Sequence, residues 1–304
     1  MSTNINLSSM EIMSQIQKSP TVRINTGNIQ RHPKLFQQMF KNSAEELLAA
    51  LEHQLDESNG PDLKMRPDGT VMLGRDSENC SLNTIEKADM KITLKVFLSS
   101  LDIKQVEESV DTALHEINTK TISQLIIAFP PDDKLAIDRS VPSEVQRWLS
   151  EILPFWKQLE TLVRTSKVNT LGVADLDYEQ LKALYESTSD YRPMIDHYNT
   201  EHCCTVPPEL REYAKQKDIQ LLTHNDPNLC YISEKLGVTT KKLFGNEHFD
   251  LVFIARLAIW LRSHTDSDNV DLNKLGGEGA MDFLVNFGIA NFSSSLQCLY
   301  NAVQ

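Results

Sequence analysis

Between Val168 and Pro227 the chain alternates short apolar runs with helical patterns, and few folds accommodate that order. Val168–Val173 is β-like and is closed by a glycine, Gly172, and Asp175-Leu176-Asp177 then leads into a helix with Leu181, Leu184 and Tyr185 on one face. An extended run near Met194–Tyr198, a helix opened by Pro207-Pro208-Glu209-Leu210, and the apolar Ile219–Thr223 complete the series. Strand, helix, strand, helix, strand implies parallel strands with helices packed on the sheet. Polar residues fall just after each strand, where α/β folds carry their functional groups. The segment ends on the most distinctive of these, His224-Asn225-Asp226-Pro227.

Upstream, the same signals recur. Thr21–Ile29 alternates and turns at Gly27-Asn28, which predicts a first strand. Ser43 three residues before Glu46 reads as a capping box, with Leu47, Leu48, Leu51 and Leu55 as the apolar stripe behind it. Residues 58–89, rich in Gly, Pro and charge, read as loops around at most a brief hairpin. In Met90–Ser99, Ile92, Leu94, Val96 and Leu98 alternate with Lys91, Thr93 and Lys95, so one face is apolar and the other carries lysines. A helix near Ile103–Ile117, a strand over Ile122–Pro130 and a long helix over Val141–Arg164 follow; Trp148, Leu149, Ile152, Leu153, Trp156 and Leu159 form its inward stripe. After Pro227 the alternation weakens to a short helix at Asn228–Leu236, an apolar element at Phe249–Arg262 and an amphipathic run over Met281–Val303.

At 304 residues the chain is long enough for one (β/α)8 barrel of roughly 250 residues. A formal charge of -12 with no basic run argues against nucleic acid as a partner. The apolar stretch around Leu257–Leu261 is interrupted by Asp250, Arg256 and Arg262 and is too short to span a bilayer; no signal peptide heads the chain, and a cytoplasmic location is expected. Five cysteines, an odd number in a large chain, do not make a secreted disulfide framework. His197–Cys204 gathers metal-capable side chains, but without the second ligand pair a structural zinc site needs; a polar loop with two thiols is the plainer reading, and no metal is expected.

Several segments resemble a known family. Leu171-Gly172-Val173-Ala174-Asp175-Leu176 with Gln180-Leu181 looks like the segment after the catalytic strands of aldo-keto reductases. Asn25-Thr26-Gly27-Asn28 resembles that family's opening motif. Cys203-Cys204, Pro207–Leu210, Ala214-Lys215-Gln216 and Asp218–Pro227 are similar to one branch of it, the regulatory (modifier) subunits of glutamate–cysteine ligase. The resemblance covers about Val22–Ser263 and implies three regions: a leader over 1–20, an aldo-keto-reductase-type (β/α)8 barrel over 21–263, and a divergent segment over 264–304 in which the barrel is incomplete or altered.

Aldo-keto reductases use a tyrosine acid tuned by a lysine and an aspartate, a histidine that orients the carbonyl, and a nicotinamide cofactor. By resemblance, Lys95 stands at the lysine position, Ala128 at that of the histidine, and Asp196-His197 at that of the pair that holds the nicotinamide amide. The tyrosine belongs upstream of the lysine strand, yet the first tyrosine is Tyr178. Lys95 is thus expected to be vestigial, with no catalytic residues and no cofactor. The resemblance implies a non-catalytic subunit that binds the glutamate–cysteine ligase catalytic subunit as a heterodimer, raises its substrate affinity and relieves glutathione inhibition. Cys203, Cys204, His224, Asn225, Asp226 and Pro227 are the candidates for its docking rim, the two cysteines being candidates also for an intersubunit disulfide. Two packed thiols and a turn closed by an Asx hydrogen bond are the purely structural readings of the same residues. The alternatives are an NADPH-dependent oxidoreductase of aldo-keto reductase type with an unusual acid, and a scaffold for a different partner.

Overall fold

The computed structural model describes residues 21–26, 29, 33–54, 63–65, 67, 70–73, 90–131, 135–200, 205–227, 229–244, 250–262, 281–293 and 295–299. The leader, Cys80, Cys203, Cys204 and residues 263–280 lie outside them. For the last two strands only the backbone pairing is described.

Five strands form the parallel series: β4 (Met90–Leu98), β5 (Ile122–Ala128), β6 (Val168–Ala174), β7 (Ile195–Asn199) and β8 (Gln220–His224). Helices join them in turn: α3 (Ile103–Glu116), α4 (Pro142–Arg164), α5 (Tyr178–Ser187) and α6 (Pro208–Lys217). This is the α/β succession of half a barrel, and the element bounds follow the sequence pattern closely. Residues 63–65 and 71–73 form the brief hairpin β2–β3. β1 (Thr21–Asn25) pairs with β3, and α1 (Pro33–Phe36) and α2 (Ser43–Gln54) lie between β1 and the hairpin in sequence.

Beyond α7 (Leu229–Phe244) the pattern changes. β9 (Asp250–Arg262) runs antiparallel to β4 instead of extending the parallel series. β10 (Met281–Ser293) and β11 (Ser295–Leu299) bridge β9 to β1, so the amphipathic run after 280 is strand. The sheet order is β2-β3-β1-β10-β11-β9-β4-β5-β6-β7-β8. The change lies in the part where the alternation had already weakened. β9 can join because its residues alternate: Phe253, Ala255, Leu257 and Ile259 enter the helix-side core, while Arg256, Ala258 and Trp260 turn inward.

Two apolar clusters lie on the two faces. On the helix side, Ile92, Leu94, Val96 and Leu98 of β4 and Leu125 and Ile127 of β5 pack against Trp148, Ile152, Trp156 and Leu159 of α4. Trp156 is fully buried, and its indole N–H donates to the Tyr191 carbonyl at 2.8 Å, so a large aromatic enters the core without an orphaned donor. On the inner side, Phe97, Ala128, Ala174, Ile195 and Ile254 meet Val22 and Ile24 of β1, Leu47 and Leu51 of α2, and Ile232 and Leu236 of α7. The fully buried Arg23 of β1 reaches to the helix side, where it pairs with Glu108 and bonds Thr112 of α3. Among the described residues no helix is long and apolar enough to cross a membrane.

The capping box is displaced by one residue. Asn42 Oδ1 accepts from Ala44 N and Glu45 N, both at 3.1 Å, and Glu45 Oε2 accepts from Lys41 N at 3.0 Å. Ser43 is therefore the first helical residue, which releases Glu46 from the cap and turns it toward the interior.

Gly172 is needed for a close approach. A Cβ there would lie 2.7 Å from Ile195 Cβ and 3.1 Å from the Ile195 carbonyl, where β6 and β7 pair. Both obstacles belong to strand backbone or to a β-branched stem, so neither can swing away. Gly172→Ala should cost about 1–3 kcal/mol; urea denaturation measures it, and an unchanged midpoint would show that β7 moves freely.

Candidate functional site

The inner face of the parallel strands carries a charged cluster just beneath its apolar end. Lys95 of β4 and Arg256 of β9 are register partners, so both point inward side by side. Asp226, in the turn after β8, lies between them: its Oδ2 accepts from Lys95 Nζ at 2.9 Å and its Oδ1 from Arg256 Nη1 at 2.9 Å. Lys95 and Asp226 are each only 3% exposed. Burial pushes the Asp226 carboxyl up, but the attraction of Lys95 and Arg256, helped by His224, outweighs it and holds the group well below the ordinary carboxylate range. The Lys95 ammonium also lies 4.7 Å from the Phe97 ring centroid.

His224 is the second anchor. Its Nδ1 lies 3.1 Å from the Asp226 backbone N and 3.2 Å from Asp226 Oδ2, and its Nε2 lies 2.9 Å from Asp175 Oδ1. Asp175 follows β6 in a left-handed conformation (φ 64°) that a short polar residue tolerates. The His224 carbonyl accepts from Thr200 N and Thr200 Oγ1, and Asn199 Nδ2 donates to the Asp226 carbonyl at 2.9 Å. The ends of β6, β7 and β8 are thereby fastened together.

His197 of β7 stacks near His224, with ring centroids 4.5 Å apart. Its Nε2–H donates to the Thr223 carbonyl at 3.1 Å, leaving Nδ1 a buried acceptor with no hydrogen-bond partner among the described residues. Burial, then Lys95 and His224, push its pKa down to about 2, so the ring stays neutral. Asp196 faces the other way, toward the helices. It is fully buried, neither carboxyl oxygen has a hydrogen-bond partner among the described residues, and burial followed by Asp175 and Asp177 drives its pKa well above the ordinary value. The two residues aligned with a nicotinamide-amide clamp therefore project to opposite faces of β7, as strand pleating requires.

The structure brings Lys95, His224 and Asp226 into one cluster. His224, Asp226 and Pro227 are buried while Asn225 is exposed, so three of the four rim candidates at this turn face inward and brace the strand ends. Asp226 spends its carboxylate on Lys95 and Arg256 instead of closing an Asx turn. Lys95 is far from idle, since it carries half of a buried ion pair. Ala128 lies in the inner apolar cluster between Phe97 and Ala174 by register, where a histidine would meet hydrocarbon. Sequence reading missed Arg256 and Glu46. The signal for Arg256 was a lone charge in an apolar run, on the alternation face of Lys95's partner strand. Burial raises the Glu46 pKa to about 7, Arg256 lowering it and Asp226 raising it in smaller measure.

The model of the aldo/keto reductase family matches residues 74–225, which span β4 to β8 and include Lys95 and His224 but stop short of Asp226 and Arg256. The chain is 30% identical over 216 residues to the glutamate–cysteine ligase regulatory subunit of Mus musculus, covering 70% of this chain and 75% of that one, with the same figures for the Homo sapiens protein of that name. It thus belongs to the aldo/keto reductase family, in the branch of the glutamate–cysteine ligase regulatory subunits. Among solved structures it is similar to an aldo/keto reductase from Brucella melitensis, at 19% identity and a TM-score of 0.33, over 45% of this chain and 47% of that one. The chain thus spans about half the length of that structure.

Two outcomes follow from the electrostatics. Asp226→Asn leaves two buried cations facing one neutral amide and should cost about 3–5 kcal/mol. Because the Asp226 pKa is depressed, its contribution is complete above the ordinary value of 3.8 and is lost as pH falls below it, so the variant should also lose part of the acid-induced fall in stability. Glu46 has the opposite sign: stability from its neutral form is complete below 4.5 and is lost as pH rises through about 7. Glu46→Gln should flatten the stability–pH curve across that interval, read from denaturant midpoints; a curve parallel to wild type would place the titration elsewhere.

Proposed function

We propose that this chain is a non-catalytic regulatory subunit of glutamate–cysteine ligase, acting in the cytoplasm by binding the catalytic subunit. The observation that carries the reading is the 30% identity over 70% of the chain to relatives bearing that name. The inner face supports it. Carbonyl reduction in the aldo-keto reductase manner needs a protonating tyrosine, and no tyrosine precedes Lys95. At the histidine position stands Ala128, which neither donates a proton nor orients a carbonyl, and Lys95 is committed to Asp226. The chain retains the frame of the fold while those groups serve packing.

Regulation of this kind requires that the subunit bind one conformation of the catalytic subunit more tightly than another, by an amount equal to the coupling it exerts. The coupling would appear as a lower KM for glutamate and weaker inhibition by glutathione. The docking surface includes exposed Asn225 and the segment that carries Cys203 and Cys204; buried His224, Asp226 and Pro227 act by holding that rim in place.

The test is co-expression with a glutamate–cysteine ligase catalytic subunit, followed by affinity purification and assay. The expected result is a stoichiometric complex whose KM for glutamate is lower than that of the catalytic subunit alone. Failure to co-purify, or turnover of an aldehyde with NADPH by the isolated chain, would overturn the proposal. A band between the two subunits on a non-reducing gel that survives Cys203→Ser/Cys204→Ser would exclude those thiols as the link.

A further inference from the structure

The inner face contains a cavity that the charged cluster only partly explains. It has a volume of about 450 Å³ and runs from Lys95 and Arg256 toward the N-terminal ends of β4, β5 and β8, ending at Lys91 and Trp260. Binding and catalysis in α/β barrels are placed at the opposite, C-terminal ends of the strands. That volume lies within the range of small-molecule sites.

Its wall is arranged to donate. Thr93 Oγ1 donates to Gln124 Oε1 at 3.2 Å, and Gln124 Nε2 donates to Gln220 Oε1 at 3.0 Å. The relay fixes both amides in one sense and leaves the Gln220 Nε2 hydrogens without an acceptor among the described residues. At the far end the half-buried Lys91 ammonium likewise has no hydrogen-bond or ion-pair partner among the described residues. Burial lowers its pKa, the expected penalty for a cation with no anion beside it. Lys91, Lys95 and Arg256 all line the cavity; Asp226 serves Lys95 and Arg256, and among the described residues no carboxylate balances Lys91. Beside the donors, Ile126 and Leu222 one rung further along β5 and β8, and Ala258 and the Trp260 ring on β9, supply apolar wall. Lys91 and Trp260 are direct cross-strand partners, so a group bound to the ammonium lies against the indole.

We infer that this cavity binds a small organic anion, a carboxylate with an apolar body, its charge held by Lys91 and Gln220 and its body against Trp260. An inorganic anion would satisfy the donors but leave the apolar wall and most of the volume unused. The site belongs to this chain alone, so it stands apart from the question of a partner subunit.

Isothermal titration of the full chain with phthalate tests it, using benzamidine as a cation of similar size and inorganic phosphate as an anion without an apolar body. Phthalate should bind one to one at roughly millimolar strength or tighter, phosphate more weakly than phthalate, and benzamidine should give no saturable heat. Lys91→Met keeps the aliphatic stem and removes the charge, and it should weaken phthalate about tenfold, the loss expected of one charge-assisted hydrogen bond. Gln220→Leu, at an exposed position, should weaken it by a smaller factor, and both variants should keep the wild-type circular dichroism. No phthalate binding to the wild type, equal binding of benzamidine, or affinity unchanged in both variants would overturn the inference.

Discussion

One carboxylate governs the interior of this protein. Asp226 is the shared counter-ion of Lys95 and Arg256, which project from paired strands into the same space. Two cations at adjacent register positions repel each other strongly in a poorly solvated interior. With Asp226 between them, a costly arrangement becomes a three-point junction linking β4, β9 and the turn after β8. The turn itself is held by the Asp226 backbone: its N–H reaches His224 and its carbonyl accepts from Asn199. The junction is therefore electrostatic in its side chains and conventional in its backbone.

Around it the inner face is graded. Toward the C-terminal ends of the strands it is hydrocarbon, with Phe97, Ala128, Ala174 and Ile254 covered by β1, α2 and α7. Toward the N-terminal ends it is polar and open, with Thr93, Gln124, Gln220 and Lys91. A reductase needs its polar groups at the first of these ends. Here Ala128 and its apolar neighbours fill that end on the β4–β6 side, while His224, Asp226 and Asp175 occupy the ends of β8 and β6. The lower cavity is left as the part of the interior best furnished for a small ligand.

Much of this was legible in the sequence because β-strands write their two faces alternately. Ile92, Leu94, Val96 and Leu98 against Lys91, Thr93 and Lys95 described β4 and assigned its lysines to the face opposite the helices. The strand–helix series from Val168 to His224 was equally direct. The cap of α2 was misread because Asn42 and Ser43 are both competent caps and only backbone geometry distinguishes them. The antiparallel course of β9 had no local signal, since an apolar run with alternating faces fits either direction.

By itself the sequence determined the parallel α/β frame, the absence of a tyrosine before Lys95, the alanine at position 128 and the branch of the family. These rest on local periodicity and residue identity, which short-range physics preserves. Tertiary structure alone decided that Asp226 turns inward, that Arg256 joins it, that half-buried Glu46 comes within reach of both, and that Lys91 is left facing a cavity. Each depends on partners far apart in sequence, 131 residues in the case of Lys95 and Asp226. Charge balance in a buried site is a property of the assembled fold, and no single segment encodes it.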